Sequence, residues 1–372
     1  TVQRDLMPAD SIQTIEVNKV LTSDMDVDAI GGEINLVTKN TPSHQVLNFN
    51  VGSGYTWISG KPQWDLAATW GNRFFQNRLG IMASASYQYA PGGSDNTEFE
   101  YEESDDKEIE LKEAQVRQYY VTRERQSYSL ALDYKFNPLH KISFKGIYNR
   151  RSDWENRYRI SYKKLNSKAS KQSVVLQTKA GSSDQKNARL ELQQTMDYTL
   201  DGEHQLGNLK MDWAASYSRA TEERPNERYA SYKYKYGKSE TEFIDFGDGF
   251  QDVGDKQPYY AKSLPSLDDS HWVLDELNNS NQDIVENEWK GRLNFTLPLC
   301  KGLYGNTLKF GAKYTSKNKK RTTSFFDYDP EEVLGDDWRS NTSLQIRDGF
   351  MPGSQYPANS PFISISTLGK ID

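Results

Sequence analysis

The chain is 372 residues long, with 46 basic and 52 acidic side chains, a net charge of −6 and a mean hydropathy of −0.84. No stretch approaches the roughly 18 apolar residues of a spanning helix. That excludes a helical membrane protein and leaves open a membrane barrel, where only alternate residues face lipid. The acidic balance points away from nucleic acid, and 23 Tyr, 15 Phe and 8 Trp, 12% aromatic in all, point away from disorder.

In chain order, residues 1–45 stand apart from the rest. Ile12, Ile15, Val17 and Val20 form a short apolar run that ends in a polar, acidic link from Leu21 to Asp28. Then Ala29-Ile30-Gly31-Gly32 leads into Glu33-Ile34-Asn35-Leu36-Val37-Thr38-Lys39. Gly31 and Gly32 let the chain turn with positive φ or approach a neighbouring backbone closely. Glu16 and Lys19 are placed for polar contacts with a charged wall. Residues 33–39 read as the strand that ends this segment.

From residue 46 the dominant signal is period-two alternation, the mark of strands with two unlike faces. Leu47, Phe49 and Val51 alternate with polar residues and Gly, and so do Trp64, Leu66, Ala68 and Trp70. The pattern recurs at 79–89, 128–136, 142–148, 190–198, 209–217, 293–297 and 308–314, which gives about nine strands. It predicts that Leu66, Leu132, Phe144, Trp213, Phe295 and Phe310 share one face. Asp133, Lys145, Asp212, Arg292 and Lys313 belong to the other.

Connections at 76–78, 137–140, 201–207 and 300–306 are short and turn-like; 58–62 is the exception, a short link where the alternation calls for a long one. Those at about 92–116, 157–186 and 220–287 are long and polar. Short links at one end and long ones at the other is the layout of an outer-membrane barrel, and Tyr and Trp near strand ends fit aromatic girdles. A soluble β-sandwich also alternates. Its strands are usually shorter and its loops sort less cleanly by length.

Two regions carry candidate binding chemistry. The run from Glu98 to Glu113 is acidic, with Lys107 and Lys112 as its bases; it reads as a solvated loop or a cation-collecting one. The connection at 220–287 interleaves aromatics with bases. Tyr232, Tyr234, Tyr236 and Trp272 are its candidates for stacking on a sugar or an aromatic chelator. Part of it, from Tyr232 to Tyr236, also has strand alternation.

Metal and catalytic motifs are weak. Asp24, Asp26 and Asp28 have the opening spacing of an EF-hand, but Ala29 and Asn35 stand where Gly and Glu are required, so a solvated turn is the better reading. Asp245, Asp248, Asp252 and Asp255 read as an exposed acidic loop. The four His residues have no partner at ligand spacing and no G-x-S-x-G elbow occurs. Cys300, the single cysteine, excludes an internal disulfide framework and sits in a predicted turn as an inert thiol. No catalytic residue and no cofactor is assigned.

The stretch from Ser11-Ile12-Gln13-Thr14-Ile15-Glu16-Val17-Asn18-Lys19 through Thr38-Lys39 closely resembles the end of the plug domain of TonB-dependent outer-membrane receptors. In that family an "I-E-x-I-E-V-x-K" strand precedes an "A-I-G-G-x-I-N-(I/L)-x-T-K" strand, and the barrel starts directly afterwards. Gln13 replaces the usual acid. The link Asp24-Met25-Asp26-Val27-Asp28 resembles the "D-M-D-A-D" form of one branch.

The resemblance implies an all-β antiparallel transmembrane β-barrel fragment. Residues 1–45 would be the C-terminal part of a plug, with Glu16, Lys19, Gly31, Gly32 and Asn35 as its motif. Residues 46–372 would supply about nine of the roughly 22 strands of such barrels. Both ends then read as cuts in a longer protein. The implied function is active uptake of a scarce ligand, such as siderophore-iron or an oligosaccharide, across the bacterial outer membrane. The inner-membrane TonB complex and outer-membrane lipid would be its partners. A passive barrel or surface adhesin, and a soluble glycan-binding β-protein, are the alternatives.

Overall fold

The computed structural model describes residues 12–19, 32–103, 105–164, 173–235, 264–299, 306–343 and 361–371. Tyr236, Gly31, Cys300 and the acidic sets at 24–28 and 245–255 lie outside them. None of the described helices is long and apolar enough to cross a membrane.

Strands β1 (Ile12–Asn18) and β2 (Glu33–Thr38) pair antiparallel as a separate two-stranded sheet. Everything after them is dominated by one ten-stranded antiparallel sheet. Its strands are β3 (Val46–Thr56), β4 (Lys61–Phe74), β5 (Leu79–Glu103), β6 (Ile109–Asn137) and β7 (His140–Lys163). They continue as β8 (Ser173–Ala180), β9 (Arg189–Leu206), β10 (Leu209–Lys235), β11 (Trp272–Pro298) and β12 (Thr307–Asp327). Sequence neighbours pair in order except β8 and β9, with β3 and β12 at the two edges.

Strands β8 and β9 share one lane between β7 and β10, so ten strands fill nine lanes, the number read from alternation. The lane breaks at residues 181–188, a detour with a short 3₁₀ turn at Ser183–Gln185. Gly181 pinches its neck: a Cβ there would lie 2.1 Å from the Ala188 carbonyl oxygen, which no side chain permits. A second irregularity sits in β10, where the pairing with β11 shifts between Arg224 and Glu227. Pro225 cannot donate to a ladder, and a bulge is where a strand tolerates it.

Cross-strand register sorts the side chains onto two faces. Leu66, Leu132, Phe144, Trp213, Phe295 and Phe310 all fall on one, the belt face, as expected. Asp133, Lys145, Asp212, Arg292 and Lys313 fall on the other, the polar face. The belt is bare: Phe49, Trp289 and Phe310 are 72%, 59% and 52% exposed. A row of aromatic pairs lines its border toward the long-loop end. Tyr128 stacks on Tyr148 at 6.2 Å, and Tyr217 lies 4.5 Å from Trp289. From Phe136 to Tyr128 the belt covers about 27 Å of strand at roughly 3.4 Å per residue.

The strands run well beyond this border. Much of what reads as long loops at 92–116, 157–186 and 220–287 is strand: β5 reaches Glu103, β7 reaches Lys163 and β10 reaches Lys235. Backbone pairing continues there while both faces carry polar groups, so the apolar alternation fades before the strand does.

At the far end the belt face becomes apolar again, and there it is covered. Tyr158, Ile160, Leu176, Tyr232, Trp272 and Leu277 form a buried cluster with Trp338, Phe362, Ile363 and Leu368 from the C-terminal segment. That segment holds α1 (Pro330–Leu334), a 3₁₀ turn (Trp338–Asn341), β13 (Thr342–Ser343), β14 (Phe362–Ile363) and α2 (Ile365–Leu368). Residues 361–371 act as a strap. The Thr178 hydroxyl donates to the Ile363 carbonyl at 2.7 Å, Arg228 to that of Leu368 at 2.6 Å, and the Ser183 amide to that of Gly369 at 2.8 Å.

Candidate functional site

The β1–β2 hairpin brings two of the residues singled out in the sequence together. Glu16 pairs with Asn35 across the two strands, and the Asn35 amide donates to its carboxylate at 3.0 Å. Gly32 has φ +130°, and a Cβ would lie 2.8 Å from the Asn18 carbonyl oxygen, so glycine is required. Lys19 begins the link directly beside it. Glu16 thus finds a partner inside the hairpin, whereas the sequence pointed it toward the sheet wall. Ile15 and Val17 are exposed. The contact with the large sheet is made further on, at Thr41 and Pro42, through Arg73 and Asp133.

The polar face of the sheet is where charge collects. Near the short-turn end, Arg73, Asp133, Lys141, Lys145 and Asp201 line a hollow of about 600 Å³ with Thr41. Beyond the level of the aromatic row the charges knit into a lattice across β6, β7, β8, β9 and β10. Arg123 holds Asp153 with two bonds, at 2.6 and 2.7 Å. Arg151 reaches Glu191 at 3.0 Å, and Arg224 bridges Glu191 and Glu222 at 3.0 and 2.9 Å. Lys179 bridges Glu155 and Glu227 at 2.8 and 3.4 Å.

This lattice follows from spacing. Residues two apart on a strand share a face, and opposed or diagonally placed residues on paired strands lie close enough for long side chains to pair. Arg151, Asp153 and Glu155 therefore form one column, facing Arg189, Glu191 and Gln193 in the next. Burial alone would raise the Glu227 carboxyl pKa, but Lys179, the Tyr229 hydroxyl and Arg189 outweigh it and hold the group below its ordinary value. Burial would likewise lower Arg189, yet Glu227, Glu191 and Glu155 hold its pKa above the usual one. Burial first, and then the Glu227 charge, push the Tyr229 hydroxyl upward. The signal was present in the sequence as charges at alternate positions in Arg123-Glu124-Arg125 and Arg151-Ser152-Asp153-Trp154-Glu155.

The aromatic candidates lie elsewhere. Tyr232, Tyr234 and Trp272 are 1%, 6% and 3% exposed, within the cluster on the belt face. The Tyr232 ring packs 4.8 Å from Trp338 and 5.1 Å from Trp272, and its hydroxyl donates to the Pro361 carbonyl. Their apolar faces are occupied by protein, so stacking surface that reads as open in the sequence is packed in the structure. The acidic run forms the β5–β6 hairpin, where Lys112 pairs with Glu100 and Arg117 with Glu98.

Among the described residues no group of three or more His, Cys, Asp or Glu side chains is placed to hold a metal ion. No protein-family model matches the chain, and no curated protein matches it significantly.

Proposed function

We propose that the chain contributes the end of a plug and part of the barrel wall of a TonB-dependent transporter in the bacterial outer membrane. On this reading residues 1–45 belong to the plug and residues 46–372 to the barrel. The observation that carries it is the segregation of faces. One face of a nine-lane meander is a bare apolar belt edged by aromatic pairs, and the other carries the ion pairs, with only scattered apolar residues such as Met82, Val121 and Val175. Water penalises about 27 Å of exposed apolar strand, whereas lipid stabilises it, and an apolar band of that order is what the hydrocarbon layer selects.

The polar face then borders the ligand path, and the strand extensions stand outside the cell. The ligand binds above the membrane, the TonB complex pulls on the plug using the proton gradient, and the ligand passes without covalent change. Siderophore-iron and oligosaccharides are the ligand classes to test first.

The test uses cells with and without the complete gene, given labelled siderophores and oligosaccharides. Accumulation that requires the gene and stops on adding a protonophore supports the reading. Accumulation that survives the protonophore identifies a passive barrel. Recovery of the protein as a detergent-free soluble monomer identifies a soluble β-module and overturns the membrane assignment.

A further inference from the structure

Three arginines meet on the polar face beyond the ion-pair lattice. Arg117 on β6 and Arg159 on β7 are direct cross-strand partners, and Arg157 lies two residues from Arg159 on the same face. Like charges placed directly opposite each other destabilise a sheet unless something lies between them. Two of the three are partly compensated. Arg117 bonds Glu98 and Gln115. Arg157 donates to Gln177 at 2.6 Å and lies 5.7 Å from the Tyr229 ring.

Arg159 has no such partner. Among the described residues it forms no hydrogen bond or ion pair, and its Nε is buried and unsatisfied. The acids nearest to it in charge effect, Glu113 and Glu276, are engaged by amides. Gln115 donates to Glu113 at 2.6 Å, and Gln177 and Asn278 donate to Glu276 at 2.7 and 2.6 Å. Burial, and then repulsion from Arg157 and Arg117, lower the pKa of Arg159 despite those two carboxylates. An arginine fork is built for two-point contact with carboxylate, sulfate or phosphate oxygens, and here one stands half-buried with its donors uncommitted.

We propose that Arg159, flanked by Arg117 and Arg157, is a binding site for an anionic group on the transported ligand, a clustered carboxylate or sulfate. The proposal rests on the reading that the polar face borders the ligand path. It narrows the ligand from any scarce nutrient to one with negative charge. An added anion removes the Arg117–Arg159 repulsion and satisfies the free fork.

The test measures equilibrium binding of citrate, of a sulfated disaccharide and of maltose to the complete protein in nanodiscs, with no proton gradient. At least one anion is expected to bind and to weaken with salt, with maltose far weaker. Preference for citrate or for the sulfated sugar separates the carboxylate and sulfate sources. Arg159→Gln is expected to weaken the bound anion at least tenfold. Arg159→Lys, which keeps the charge and loses the planar fork, is expected to weaken it about threefold and carries the comparison if the Gln variant does not fold. Failure of both anions to bind at millimolar concentration overturns the proposal. So does unchanged affinity in a folded Arg159→Gln or, where that variant does not fold, in Arg159→Lys. Because binding is measured without energy, loss of proton-driven uptake does not mimic either outcome.

Discussion

Arg73 grips Asp133 with both terminal nitrogens, at 2.7 and 3.1 Å, across 60 residues of sequence. The two side chains are 8% and 3% exposed. Thr41 adds its hydroxyl to the same carboxylate, and Arg73 donates to the Pro42 carbonyl at 3.3 Å. The pair therefore fastens the link between hairpin and sheet onto β4 and β6. Removing one partner leaves a buried uncompensated charge, so Asp133→Ala is expected to cost about 3–5 kcal/mol. The double variant Arg73→Leu with Asp133→Leu is expected to cost less than the single one. Urea midpoints in micelles measure both. A double variant as damaged as the sum of the singles would remove the coupling claimed here.

The face assignment makes a prediction of sign. Leu200 is on the belt, next to Phe144 in the β7–β9 register, and Thr199 is on the polar face next to Lys145. Leu200→Arg is expected to destabilise the protein folded in lipid vesicles by about 2–4 kcal/mol, and Thr199→Arg by far less. Equal costs at neighbouring positions would show that the belt does not meet hydrocarbon.

Much of this sheet was legible because apolar alternation requires only that one face be different from the other. Leu132, Phe144 and Trp213 were placed on their face from sequence, and the short turns at 76–78 and 137–140 agree within a residue or two. The strand ends were not legible. In Arg123-Glu124-Arg125-Gln126-Ser127 both faces are polar, and nothing in hydropathy distinguishes a paired strand from a loop there. The burial of Tyr232, Tyr234 and Trp272 was hidden for another reason. Their cover, Phe362, Ile363 and Leu368, lies 90 residues or more along the chain and carries no periodic signal. The arginine row was equally hidden, since only the β6–β7 register places Arg117 opposite Arg159.

The lattice predicts a specific acid sensitivity. Glu227 has its folded pKa below the ordinary carboxylate value, through Lys179, Tyr229 and Arg189 acting against burial. A depressed folded pKa contributes stability that is fully present above the unfolded value, about 4.3, and is lost as pH falls through the folded one. The native protein is therefore expected to lose more stability between pH 5 and pH 3 than Glu227→Gln, which is already weaker at pH 7. Denaturant midpoints across that interval measure the difference. Parallel pH profiles for the two proteins would show that Glu227 is not held in its charged form by the lattice.

The strap over the far end of the belt face gives the last prediction. Phe362 is 1% exposed and its ring lies 5.4 Å from that of Tyr158. Ile363 and Leu368 flank it, and the segment is otherwise fixed by a few hydrogen bonds, including those from Thr178 and Arg228. Truncating a buried Phe to Ala costs about 3–5 kcal/mol where the site cannot collapse. The strap's contacts lie with β7, β8, β10, β13 and the detour at 181–188, away from the β4–β5 ladder, so the cost is expected to fall on local opening, not on the whole sheet. In Phe362→Ala, hydrogen exchange at the Leu368 and Gly369 amides should accelerate by about 100-fold, the equivalent of roughly 3 kcal/mol. Amides in the β4–β5 ladder should be unchanged. Opening the strap also uncovers Tyr232 and Trp272, so the variant should take up an apolar dye that the native protein excludes. Uniform acceleration across both regions would mean that the strap and the sheet unfold as one unit. No acceleration anywhere would mean that Phe362 does not hold the strap down.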